Sequence, residues 1–92
     1  MIRSFRTRAL RELWEKGSSS KIDTRMQARI LRRLDVLNNA LVLEDLNAPG
    51  FGFHPLRGFK PTRYSLHVNG PWCITFEFSE GKALAVDFEQ YH

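Results

Sequence analysis

Hydrophobic spacing changes once along this chain, at Pro49-Gly50, and that change sets the class of fold. Before it, apolar residues recur every three or four positions. Leu10, Leu13 and Trp14 share one face of a helix expected from about Thr7 to Lys16, and Gly17 stands where a helix-ending glycine would. Asp23 or Thr24 can cap a second helix running to about Asn38, with Ile30, Leu31, Leu34 and Leu37 as its apolar stripe. Arg25, Arg29, Arg32 and Arg33 fall largely off that stripe. Leu41, Val42, Leu43 and Leu46 suggest a short helical turn before the punctuation at Pro49-Gly50.

After Gly50 the pattern alternates. Phe51, Phe53 and Leu56 read as a first strand, and Pro55 within it favours a sheet edge or a bulge. A basic loop, Gly58 to Thr62, leads to a strand from Tyr64 to Val68. Asn69-Gly70 then signals a hairpin. Trp72, Ile74, Phe76 and Phe78 alternate with Cys73, Thr75 and Glu77, and Leu84, Val86 and Phe88 alternate with Ala85, Asp87 and Glu89. One face is therefore core and the other open and polar. Trp14 and Trp72 read as core. Ile2 and Phe5 suggest a further short strand at the start. Helices first and strands after argue α+β, with two N-terminal helices packed on one face of a small, twisted, mainly antiparallel sheet. Ninety-two residues are read as a single domain, 1–92.

The charge balance narrows the partners. Fourteen Lys and Arg against ten Asp and Glu favour a polyanion, and forked guanidinium suits phosphate. One cysteine, Cys73, fits a reducing compartment. The N-terminus lacks a signal-peptide pattern and no apolar run approaches membrane length, so a cytoplasmic protein without membrane contact is expected. A Gly-rich phosphate loop, a zinc-spaced Cys/His cluster and Gly-x-Ser-x-Gly are all missing from the sequence.

What remains suits phosphodiester cleavage. Cutting RNA through its own 2′-hydroxyl needs a base, an acid and positive charge at the phosphate, and in principle no metal or cofactor. Histidine can serve as base or acid near neutrality, and arginine can hold the phosphate. His54 lies beside Arg57 in sequence, and Tyr91-His92 follow the last strand-like run. Each also fits a blander role: His54 a solvated edge histidine, Tyr91-His92 a loosely held end, the helix arginines an ordinary solvated face. His67, beside the hairpin turn, is given no role.

The chain resembles the HigB-type toxins of the RelE/ParE superfamily, the toxins of type II toxin–antitoxin systems. The resemblance runs through Met1-Ile-Arg-Ser-Phe5, Leu13-Trp14-Glu-Lys-Gly17, Asn47-Ala-Pro-Gly50, His54-Pro-Leu-Arg57-Gly58, Val68-Asn-Gly-Pro-Trp72 with Ile74-Thr-Phe76, and Tyr91-His92. It implies a RelE-like fold and a ribosome-dependent messenger endonuclease needing neither metal nor cofactor. His54, Arg57, Tyr91 and His92 would line the cleavage centre. Arg25, Arg29, Arg32 and Arg33 would dock on ribosomal RNA at the 30S decoding site. The implied partner is a HigA-like helix-turn-helix antitoxin, through which alone the toxin would reach operator DNA.

Two positions depart from the family pattern. Cys73 stands where the family typically has an arginine aimed at the scissile phosphate, and Gln90 where aspartate is common. A neutral thiol cannot hold a phosphate. The charge could have moved to Arg57, Lys60 or Arg63, the toxin could be weak, or Cys73 could be an inactivating change. A catalytically inactive module that binds the antitoxin in a repressor, and a stand-alone RNA-binding domain, are the rival readings.

Overall fold

The computed structural model describes residues 1–91. Two α-helices, α1 (Arg8–Lys16) and α2 (Thr24–Asn39), precede a 3₁₀ turn (Leu43–Leu46) and four strands: β1 (His54–Leu56), β2 (Arg63–Asn69), β3 (Trp72–Ser79) and β4 (Lys82–Gln90). The strands form one sheet in the order β1-β2-β3-β4, each neighbour antiparallel. The α+β class and the helix-covered face are as the sequence leads one to expect.

The helix ends follow local chemistry. The Thr7 hydroxyl accepts from the Leu10 amide at 3.4 Å and caps α1, and Gly17 ends it in the left-handed region. Asp23 caps α2 by accepting from the Arg25 amide at 2.9 Å. Arg25 also grips that carboxylate through its own guanidinium, which holds the Asp23 pKa down to about 2.

Leu10 and Leu13 of α1 and Met26, Ile30, Leu34 and Leu37 of α2 are buried against Leu66, Val68, Ile74, Phe76 and Val86 of the sheet. Each fully buried side chain of this size contributes roughly 1.5–3 kcal/mol of transfer free energy, so this layer fixes which sheet face meets solvent. Trp14 and Trp72 are half-buried at its margin rather than inside it.

The first strand expected at Phe51–Leu56 is shorter, and it is the sheet edge that Pro55 called for. Phe51 sits in the core, and its carbonyl accepts from the His67 amide at 2.6 Å. The segment at Ile2 and Phe5 runs parallel to β4 through two isolated bridges, Ile2 to Ala83 and Phe5 to Val86. It covers the outer edge of the first half of β4.

The simple alternation expected in β4 is corrected by a bulge. Thr75 pairs with Asp87 while Glu77 pairs with Leu84, so β4 carries one extra residue there. Ala85 takes φ +50° at that point. The phase slips: Ala83 and Val86 are buried, and Leu84 is left half-exposed.

Candidate active face of the sheet

Directly opposed residues of an antiparallel pair share a face. The register therefore places His54, Ser65, Thr75 and Asp87 in one row away from the helices, and His67, Cys73 and Glu89 in the next. Arg63 and Glu77 form a third row with Leu56. Tyr91 continues beyond Glu89, its amide donating to the Pro71 carbonyl at 2.6 Å.

His54 is exposed on β1, and its Nδ1 lies 2.8 Å from the Gly52 carbonyl. A carbonyl only accepts, so Nδ1 carries the proton and Nε2 keeps a free lone pair. This tautomer suits a general base. Arg57 and Lys60 are exposed in the loop that follows. Gln90 and Tyr91 are exposed at the far side of the sheet. His54 and Tyr91 thus belong to the two outermost strands or their continuation, three strand spacings or about 14 Å apart along the sheet. His92 lies outside the described residues.

Cys73 is only 6% exposed, and it is not on an open surface as strand alternation suggests. Its thiol lies 3.8 Å from the Pro71 carbonyl and 3.9 Å from the Tyr91 carbonyl, within reach of weak S–H bonds to either. Thr75 is likewise buried, and its hydroxyl donates to the Glu89 carboxylate. The Ser65 hydroxyl between His54 and Thr75 is buried with no hydrogen-bond partner among the described residues.

Arg63 explains much of this burial, and it is not the free cation that could replace an arginine at position 73. It is 2% exposed. Its guanidinium donates to the Thr75 hydroxyl at 3.1 Å and the Ala85 carbonyl at 2.9 Å, and meets Glu77 at 3.5 Å. Burial, with Arg6 nearby, works against its charge, while Glu77, Glu89 and Asp87 support it. Burial in the same place pushes the Asp87 carboxyl up from the ordinary range.

The helix arginines divide. Arg25, Arg29 and Arg32 are exposed along α2. Arg33 is not on the solvent face expected for it. It is 7% exposed, donates to the His67 carbonyl at 2.7 Å, and lies 4.5 Å above the Phe51 ring. From the middle of α2, Arg33 thus satisfies a β2 carbonyl across the helix–sheet interface. A groove of about 410 Å³ lined by Ile22, Met26, Trp72 and Phe88, among others, contains none of the predicted site residues.

Sequence reasoning passed over His67. Its exposure and its alignment with Cys73 follow from pairing register, and that register is set by an irregularity between His67 and Asn69 which the Asn69-Gly70 turn signal does not carry.

No helix among the described residues is long and apolar enough to cross a membrane, and among them no cluster of three His, Cys, Asp or Glu could hold a metal. Comparison with known proteins bears on the chain as a whole. Residues 3–92 match the family described as RelE-like toxin of type II toxin-antitoxin system HigB. The chain is also 36% identical over 92 residues, all of both proteins, to "Endoribonuclease HigB" of Proteus vulgaris. A match that runs through both helices, the four strands and the row holding His54 is a match of the whole fold, and the chain belongs to the HigB-like toxins of type II toxin–antitoxin systems.

Proposed function

We propose that this chain is an endoribonuclease that cuts messenger RNA on the ribosome by metal-independent acid–base catalysis. The observation that carries this reading is His54: exposed, on the sheet face away from the helices, with Nδ1–H tied to Gly52 and Nε2 left to accept a proton. The base removes the 2′-hydroxyl proton, the 2′-oxygen attacks phosphorus, and the bond to the 5′-oxygen breaks. The acid returns a proton to that leaving oxygen. His54 and His92 are the acid–base pair. Tyr91 orients the substrate or touches the phosphate, and Arg57, with Lys60 behind it, stabilises developing charge. Gln90 offers hydrogen bonds only.

The exposed arginines of α2, Arg25, Arg29 and Arg32, contact ribosomal RNA at the decoding site, and the protein acts in the cytoplasm. Its partner is a HigA-like helix-turn-helix antitoxin, through which the complex reaches operator DNA.

A second reading is an inactive module that serves only to bind the antitoxin. Two observations favour it: Cys73 is buried and neutral, and Glu77, Asp87 and Glu89 share the face that would receive a phosphate. One experiment decides. The protein is induced alone, and transcript ends are mapped in translating ribosomes. Cuts at codons that vanish with His54→Gln support the nuclease. Whole transcripts, with tight antitoxin binding, support the module.

A further inference from the structure

The row beside His54 holds a second imidazole that the scheme above leaves idle. His67 is exposed on β2. Ser65, two residues before it, pairs with His54, so the two imidazoles are diagonal neighbours on one face. Such neighbours have Cα atoms about 7–8 Å apart and Cβ atoms somewhat closer. Across β3 the partner of His67 is Cys73, whose thiol lies 3.9 Å from the Tyr91 carbonyl. His67 therefore stands between His54 and the Tyr91 side of the sheet.

Its backbone is pinned from both sides. The His67 amide donates to the Phe51 carbonyl at 2.6 Å, and its carbonyl accepts from Arg33 at 2.7 Å. The ring is also placed: Nε2 lies 3.0 Å from the Gly70 carbonyl. A carbonyl only accepts, so that nitrogen donates, and Nδ1 is the ring's other polar atom. The neighbour along the row is Gly52, where an added Cβ would come within 3.3 Å of the His67 Cβ. A side chain at position 52 would therefore press on His67.

We propose that His67 is a further catalytic residue: as a cation it donates through Nδ1–H to the scissile phosphate of RNA held against His54. It supplies positive charge in the very row where Cys73 supplies none. This rests on the endonuclease reading. His67 keeps its proton throughout, so the proton balance between base and acid is unchanged. The groups that face it are His54 on β1, Cys73 on β3, Glu89 one strand further on β4, and Tyr91 beyond. From the helix layer, Arg33 and Arg29 reach the carbonyls of His67 and Val68.

The test measures single-turnover cleavage of a defined messenger on translating ribosomes, with His67→Gln in the native and in the Cys73→Arg background. In the native background His67→Gln is expected to slow maximal cleavage about 10²-fold with ribosome affinity unchanged. With a guanidinium at position 73 the same substitution costs less than about threefold, since neighbouring groups that share a task are not additive.

Wild-type rates for His67→Gln overturn the proposal. An equal loss in both backgrounds, together with a lowered melting temperature, makes His67 structural and also overturns it. Cleavage that needs His54 but not His67 sinks this inference alone. An uncut transcript with the native protein and with Cys73→Arg removes the endonuclease reading and this inference with it.

Discussion

Arg63 on β2 reaches past β3 to donate to the carbonyl of Ala85 on β4, at 2.9 Å. Ala85 is the residue in which the β4 bulge is taken up, at φ +50°. The contact holds the phase of everything after it, including Asp87, Glu89 and the approach to Tyr91. Arg63→Met should therefore leave Glu77, Asp87 and Glu89 without their buried cation. Breaking a buried charge group by removing one partner costs about 3–5 kcal/mol. The expected result is a melting temperature lower by more than about 10 °C, read by circular dichroism. A melt like that of the native protein would show that the bulge holds without it.

Gly52 takes φ +56° and faces His67. Gly52→Ala is expected to cost about 1–2 kcal/mol from the left-handed backbone alone. The new methyl would also press on the His67 Cβ at 3.3 Å and shift it slightly. Cleavage should then fall by roughly tenfold or more, beyond what the stability loss explains, since small displacements of positioned groups are costly. Rates and melts measured on the same preparation check this.

Cys73→Arg is expected to make the protein more toxic. The position lies in register between His67 and Glu89, on the face that carries His54, and the thiol there is neutral. A guanidinium in that row restores a transition-state contact of a kind that changes rates by about 10²–10³. Growth after induction without antitoxin is the readout. An arginine variant no more toxic than the native chain would count against it.

Asp23 gives a pH prediction. Its pKa is lowered from 3.8 to about 2, first by the Arg25 side-chain hydrogen bond and then by the Arg25 amide. A depressed carboxyl pKa stabilises the folded state above the unfolded value. That contribution is lost as pH falls from 3.8 through about 2. Native protein and Asp23→Ala should differ in melting temperature at pH 6 and converge near pH 2.

Local chemistry made much of the fold legible. Gly17 and Asp23 mark helix ends, Pro55 marks an edge strand, and Asn69-Gly70 marks the β2–β3 turn. These signals act over a few residues, so one sequence suffices. What stayed hidden depends on distant partners. Arg33 looked like a surface arginine because its acceptor, the His67 carbonyl, is 34 residues away. Arg63 looked free because Ala85 and Thr75 are far along the chain. Strand parity set Cys73 on the polar face, but it could not show that the Pro71 and Tyr91 backbone closes over it. The exposure of His54 on a proline-bearing edge was legible. The place of His67 was not legible, since it comes only from register.

The margins of the sheet have a consequence for assembly. Residues 2 to 6 already occupy the outer side of β4 as far as Val86, and the Ile2 amide is taken by Asn38. Further along, the Phe88 amide is satisfied by the carboxylate of Asp87. At the opposite margin β1 is three residues long and has Pro55, which lacks an amide hydrogen, at its centre. An incoming polypeptide finds little main chain to zip onto at either flank. Recognition of this toxin by another protein must then be written in side chains, so an inhibitor designed as an added strand starts at a disadvantage to one that grips the helices.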